Sequence, residues 1–161
     1  MGSCDNIVQI DETMLNFKSK SRRGRLPLNK TDALVIVEVN NIVSQIYAEV
    51  IENKKKETIM PIICDHVVTG AEIHTEEHKS YNALGKMGYI HKNVCRKYNF
   101  LNPVDGTHTQ SVESINNCLK YEIKKRKGVQ TGLRKRFLAE FIWNWNNKSD
   151  LFNYILNLIK V

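Results

Sequence analysis

The segment ALVIVEVNN (33–41) is almost continuously apolar through Val37 and rich in β-branched side chains. A stretch with no polar face to offer water belongs at the centre of a sheet covered on both sides. Its neighbours supply strands to pair with it. NIVQIDETMLNF (6–17) begins as a strand, with Asp11 directly after its apolar part. In SQIYAEVIE (44–52), Ile46, Ala48 and Val50 alternate with Gln45, Tyr47, Glu49 and Ile51. Three successive strands joined by short turns form an antiparallel meander. At 161 residues and 42% apolar content, the chain is long enough to bury one core, and a single domain over 1–161 is expected.

Beyond the meander the period changes. ETIMPIICDHVV (57–68) puts Ile59, Ile62, Ile63 and Val67 at helical spacing, with Pro61 tolerable only in the first turn. A short strand over 71–76 delivers Glu76 at its end, and 80–88 predicts one short helix stopped by Gly88. A fifth strand covers 89–94, followed by a loop with the turn pairs Asn102-Pro103 and Asp105-Gly106. Residues 111–127 form a helix with Val112, Ile115, Leu119 and Ile123 as its buried stripe. The rest is helical, with Leu133, Phe137, Leu138, Phe141, Ile142 and Trp145 on one face and Leu151, Phe152, Ile155, Leu158 and Ile159 on another. The predicted class is α/β, a mixed five-stranded sheet in the order β-β-β-α-β-α-β-α-α. That order matches RNase H-like folds, in which the first and fourth strands are neighbours.

Net charge +7 and an isoelectric point near 9.2 favour a polyanionic partner. Basic clusters stand at Arg22-Arg23-Gly24-Arg25, Lys54 to Lys56, Lys124 to Lys127 and Arg134 to Arg136. The segment 19–30 is the best candidate for phosphate contact, being basic and next to the Asp11 strand. Cys4, Cys64, Cys95 and Cys118 form no C-x-x-C pair, and the five histidines form no H-E-x-x-H motif, which argues against a dedicated zinc site or a disulfide framework. No apolar run approaches the roughly 20 residues that span a bilayer, and the start lacks a secretory signal core. No membrane partner or secretion is expected; the expected location is nuclear in a eukaryote and cytoplasmic otherwise.

Phosphodiester chemistry with two metal ions needs carboxylates from distant sequence positions to converge. In the predicted order Asp11 lies on the first strand, Glu76 ends the fourth, and Glu113 sits in the first turn of the next long helix. On that helix Glu113 shares a polar face with Asn116, Asn117, Lys120 and Lys124, so one face offers a metal ligand and cations for phosphate.

The blocks VQIDET (8–13), GAEIHTEEHKSY (70–81), GTHTQSVESINNCLK (106–120) and FLAEFIWNWN (137–146) resemble those of the ISXO-type transposases, which include bacterial insertion-sequence enzymes and the eukaryotic Merlin transposons. The resemblance implies a DDE triad of Asp11, Glu76 and Glu113 binding two Mg²⁺ or Mn²⁺ ions and serving cleavage and joining of DNA. The implied partners are DNA, as terminal inverted repeats and target, and a second copy of the chain, since two ends must be held together. Arg22, Arg23, Arg25, His108, Asn117, Lys120 and Lys124 are the candidate DNA-binding residues, His108 also being placed to orient the site.

The chain departs from the family pattern at several positions. Glu76 stands where aspartate is usual, and Glu77 is turned away by strand alternation. His78 replaces an aromatic, Asn116 a tryptophan and Asn144 an arginine. No separate N-terminal DNA-binding domain is expected. The alternative is therefore a catalytically inactive, transposase-derived module that binds DNA or protein.

Overall fold

The computed structural model describes residues 1–2, 6–17, 30–94 and 106–148. Five strands form one sheet: β1 (Ile7–Met14), β2 (Asp32–Asn40), β3 (Ile42–Ile51), β4 (Glu72–Glu76) and β5 (Ile90–Val94). The spatial order is β3-β2-β1-β4-β5. The β1–β2 and β2–β3 pairs are antiparallel, while β1–β4 and β4–β5 are parallel. The expected meander and the expected β1–β4 neighbourhood are both present.

Helix α1 (Lys56–His66) covers one face of the sheet, and α2 (Gln110–Lys125) with α3 (Arg134–Asn146) covers the other. Strand alternation divides the core accordingly. Val8, Ile10, Leu34 and Ile36 pack with Ile59 and Ile63 of α1. Ala33, Val35 and Val37 pack with Val112, Ile115, Leu119 and Ile123 of α2 and with Phe137 and Leu138 of α3. The apolar run in β2 is thus consumed on both faces, as its composition requires.

Several local expectations are corrected. The helix expected over 80–88 is two 3-10 turns, Lys79–Tyr81 and Leu84–Met87, separated at Asn82 and Ala83; Gly88 does end the second, in the left-handed region at φ 87°. Pro61 lies inside α1 beyond its first turn, on the exposed side, where water can solvate the carbonyl deprived of its partner. Leu133 is half exposed, because it belongs to the 3-10 turn Thr131–Leu133 that precedes α3 and not to its buried stripe. Residues 19–29 and the apolar segment 151–159 lie outside the described residues.

Edge strand β3 is met by the end of α3. The Asn146 side-chain amide accepts from the Ile46 N–H and donates to the Ile46 carbonyl, both at 2.9 Å. These outward groups would otherwise lack a ladder partner. On α2, Leu119 is 1% exposed whereas Tyr121 is 64% exposed. Leu119→Ala is expected to cost about 2–5 kcal/mol in urea unfolding, and Tyr121→Ala no more than about 0.5 kcal/mol; equal losses would refute this division of the helix.

Candidate active site

The parallel register pairs Ile7 with Glu72 and Ile10 with Thr75. Asp11 and Glu76 follow directly on this last pair, and continued strand alternation turns both toward the face that Gln9 and His74 share. Both acids are half-buried. They lie at the carboxyl end of the β1–β4 pair, where open α/β sheets form their crevices.

Helix α2 lies over this point. Asn116 is 3% exposed and donates from Nδ2 to Asp11 Oδ2 at 2.8 Å. The polar face expected for α2 is therefore corrected: Glu113, Asn117, Lys120 and Lys124 keep some or full access to solvent, but Asn116 turns inward and fixes Asp11. Glu113 occupies the first turn, where a carboxylate is favoured by the helix dipole. Its Oε1 accepts from the Thr109 hydroxyl at 3.1 Å.

Around the acids runs a polar network that the sequence pattern does not single out. Gln9, 1% exposed, accepts through Oε1 from the backbone N–H groups of Ser111 (3.0 Å) and Val112 (3.1 Å). Its Nε2 meets His108 Nδ1 at 3.3 Å. The His74 ring faces two acceptors, the His108 carbonyl at 3.3 Å and Glu72 Oε1 at 2.7 Å. Lys92 Nζ also reaches Glu72 Oε1, at 2.8 Å. The one available signal for Gln9 is its place two residues before Asp11, on the same strand face. His108 is brought to the site, as an intermediate between Gln9 and His74.

On the opposite face Glu12 accepts from the Tyr81 hydroxyl and lies 3.6 Å from Lys54 Nζ. Burial pushes the Tyr81 phenol well above its usual range, and the negative charges of Glu12, Asp11 and Glu76 push it further. Tyr81 thus stays a neutral donor next to three carboxylates. Glu77 is exposed because it lies in the bend just past the end of β4, and not by the strand alternation expected of it. Arg22, Arg23 and Arg25 lie outside the described residues.

Asp11 and Glu76 supply neighbouring oxygen donors, a set that suits a hard divalent cation. Among the described residues, however, no three His, Cys, Asp or Glu side chains stand close enough to share an ion. The pair fits a cation; Glu113, held by Thr109, is not gathered with it.

The model of the ISXO2-like transposase domain matches residues 4–146. The chain belongs to that family. The fold is RNase H-like: the structure is similar to the catalytic core domain of BIV integrase, with TM-score 0.56 and 18% identity over 88% of this chain and 84% of that one. No protein of curated function matches the sequence. Among the described residues, no helix is long and apolar enough to cross a membrane. Family and fold together support a DDE transposase-type nuclease domain.

Lys92 and, to a lesser degree, His74 hold the Glu72 carboxyl below the usual carboxylate range against the opposing effect of burial. A depressed folded value gives stability that is present above about pH 4.5, the ordinary value, and is lost as pH falls through the folded value. In melting temperatures taken from about pH 6 to about pH 3, Glu72→Gln is expected to flatten the acid limb. An acid limb unchanged from wild type would show that Glu72 carries none of it.

Proposed function

We propose that the domain cuts and joins DNA strands as a DDE transposase, with Asp11, Glu76 and Glu113 as its catalytic acids. The observation that supports this reading is the β1–β4 register, whose last pair, Ile10 and Thr75, directly precedes Asp11 and Glu76, with Asn116 of the helix bearing Glu113 bonded to Asp11. Asp11 and Glu76 would hold Mg²⁺ or Mn²⁺, with Glu113 as the third ligand of a two-ion site. When bound, such ions activate the attacking oxygen and stabilise the leaving one. The chain's own contribution is orientation: Asn116 fixes Asp11, Thr109 fixes Glu113, and Tyr81 remains protonated beside the acids.

DNA is the proposed partner, as terminal inverted repeats and as target, and a homodimer would hold two ends together. Lys120, Lys124 and Asn117 lie exposed on α2 within a few turns of Glu113 and would meet phosphates, together with His108 and with Arg22, Arg23 and Arg25. The Merlin-like spacing, 36 residues between Glu76 and Glu113, accords with this reading.

A second reading is favoured by a specific observation. Glu76 carries one methylene more than the usual aspartate, and the three acids do not gather into one ion-binding group. A domesticated module that binds DNA without cutting it would have these features. The two readings separate on metal-dependent nicking of end-containing DNA. If the domain is active, Asp11→Ala and Glu113→Gln abolish nicking in Mg²⁺ or Mn²⁺, and Glu76→Asp preserves or raises it. Equal activity in all variants removes the catalytic assignment, whereas salt-sensitive binding without cleavage by wild type or Glu76→Asp establishes the inactive module.

A further inference from the structure

We propose that Gln9 is the positioning residue of this site: a buried carboxamide on β1 that caps α2 from outside the helix and thereby fixes where Thr109 and Glu113 stand. The inference rests on the catalytic reading of Glu113 given above, and adds a residue that acts through it.

A helix begins with backbone N–H groups that have no partner within the helix. The usual remedy is a Ser, Thr, Asn or Asp at the N-cap whose side-chain oxygen accepts from the second or third helical N–H. Thr109 occupies the N-cap of α2, yet makes no such bond. The N–H groups of Ser111 and Val112, second and third in the helix, both go to Gln9 Oε1 instead. Thr109 is 2% exposed, so its hydroxyl has little access to water. With the capping role taken by Gln9, that hydroxyl donates to Glu113 Oε1.

The arrangement ties α2 directly to the strand carrying Asp11. Gln9 and Asp11 lie two residues apart on one face of β1, so they move together. The helix is thus gripped twice from the same strand, by Gln9 at its start and through Asn116 to Asp11 one turn later. Gln9 is itself oriented, since Nε2 is occupied by His108 and the His108 carbonyl by His74. A carboxamide fits this place because it offers an acceptor to two N–H groups and a donor to an imidazole nitrogen at once.

The chemistry distinguishes this role from simple packing. Gln9→Leu fills similar space but leaves two N–H groups at the helix start without their acceptor. The first turn of α2, with Thr109 and Glu113 on it, is then no longer held to β1, although neither Thr109 nor Glu113 has been altered. Gln9→Glu keeps the acceptor, and a carboxylate at a helix N-terminus is favoured.

The test uses the full chain and NMR as well as nicking. In Gln9→Leu, amide exchange at Ser111 and Val112 is expected to accelerate about tenfold while β2 amides are unchanged. The ¹³C resonance of the Glu113 carboxylate should move away from its wild-type position. Gln9→Glu should restore both signals to near wild type. In nicking of end-containing DNA, Gln9→Leu should lower kcat by about 100-fold, the scale of a small misplacement of a reacting group, with KM for DNA unchanged. A Glu113 resonance that stays at its wild-type position in a folded Gln9→Leu overturns the proposal. So does a full kcat in that variant. If Gln9→Leu does not fold, the comparison passes to Gln9→Ser, and unaltered Ser111 and Val112 exchange there is equally fatal. Wild type that does not nick, with the NMR changes as expected, refutes the catalytic reading while leaving the Gln9–Thr109–Glu113 linkage in place.

Discussion

Everything at this site depends on one register, the parallel pairing of β1 with β4. Parallel strands place residues of equal register side by side with their side chains on the same face. A shift of one residue would send Asp11 or Glu76 through the sheet to the α1 side. The register is held by burial: Val8, Ile10 and Ile73 are inaccessible on the α1 face, and Gln9 and His74 are engaged beneath α2. Slippage would exchange these sets and bury the wrong groups on both sides.

The two faces of β1 do different work. Towards α1, Glu12 meets Tyr81 and Lys54 and anchors the turns that follow β4. Towards α2, Gln9 and Asp11 hold the helix that carries Glu113. The residues Asp11 and Glu12, adjacent in sequence, therefore serve opposite layers, and the electrostatic effect of both reaches Tyr81.

Much of this was legible from residues alone. The continuous apolar run in β2 announces a strand covered twice, and the helical spacing of Val112, Ile115, Leu119 and Ile123 announces the buried side of α2. Asp11, Glu76 and Glu113 stand out as candidates by their order along the chain and by family blocks, which report topology without atomic contacts. Asn116 was misread because helical spacing puts it next to the Glu113 face, whereas a hydrogen bond to Asp11 draws it inward. Gln9 was missed for the complementary reason: a polar residue in a strand reads as solvent-facing unless the element above it is known. The 3-10 turns at 79–87 replaced a helix because Tyr81 is pulled into the core and its hydroxyl onto Glu12, a tertiary demand that local periodicity does not carry.

The contact of Asn146 with Ile46 has a consequence at a larger scale. An exposed edge strand is a template on which another extended chain can build, and the ten residues of β3 form such an edge. One amide seated at mid-strand occupies the outward donor and acceptor that a foreign strand would need in order to zip past. The last residue of α3 thus closes the helix and at the same time covers the outward backbone of Ile46 on the sheet edge.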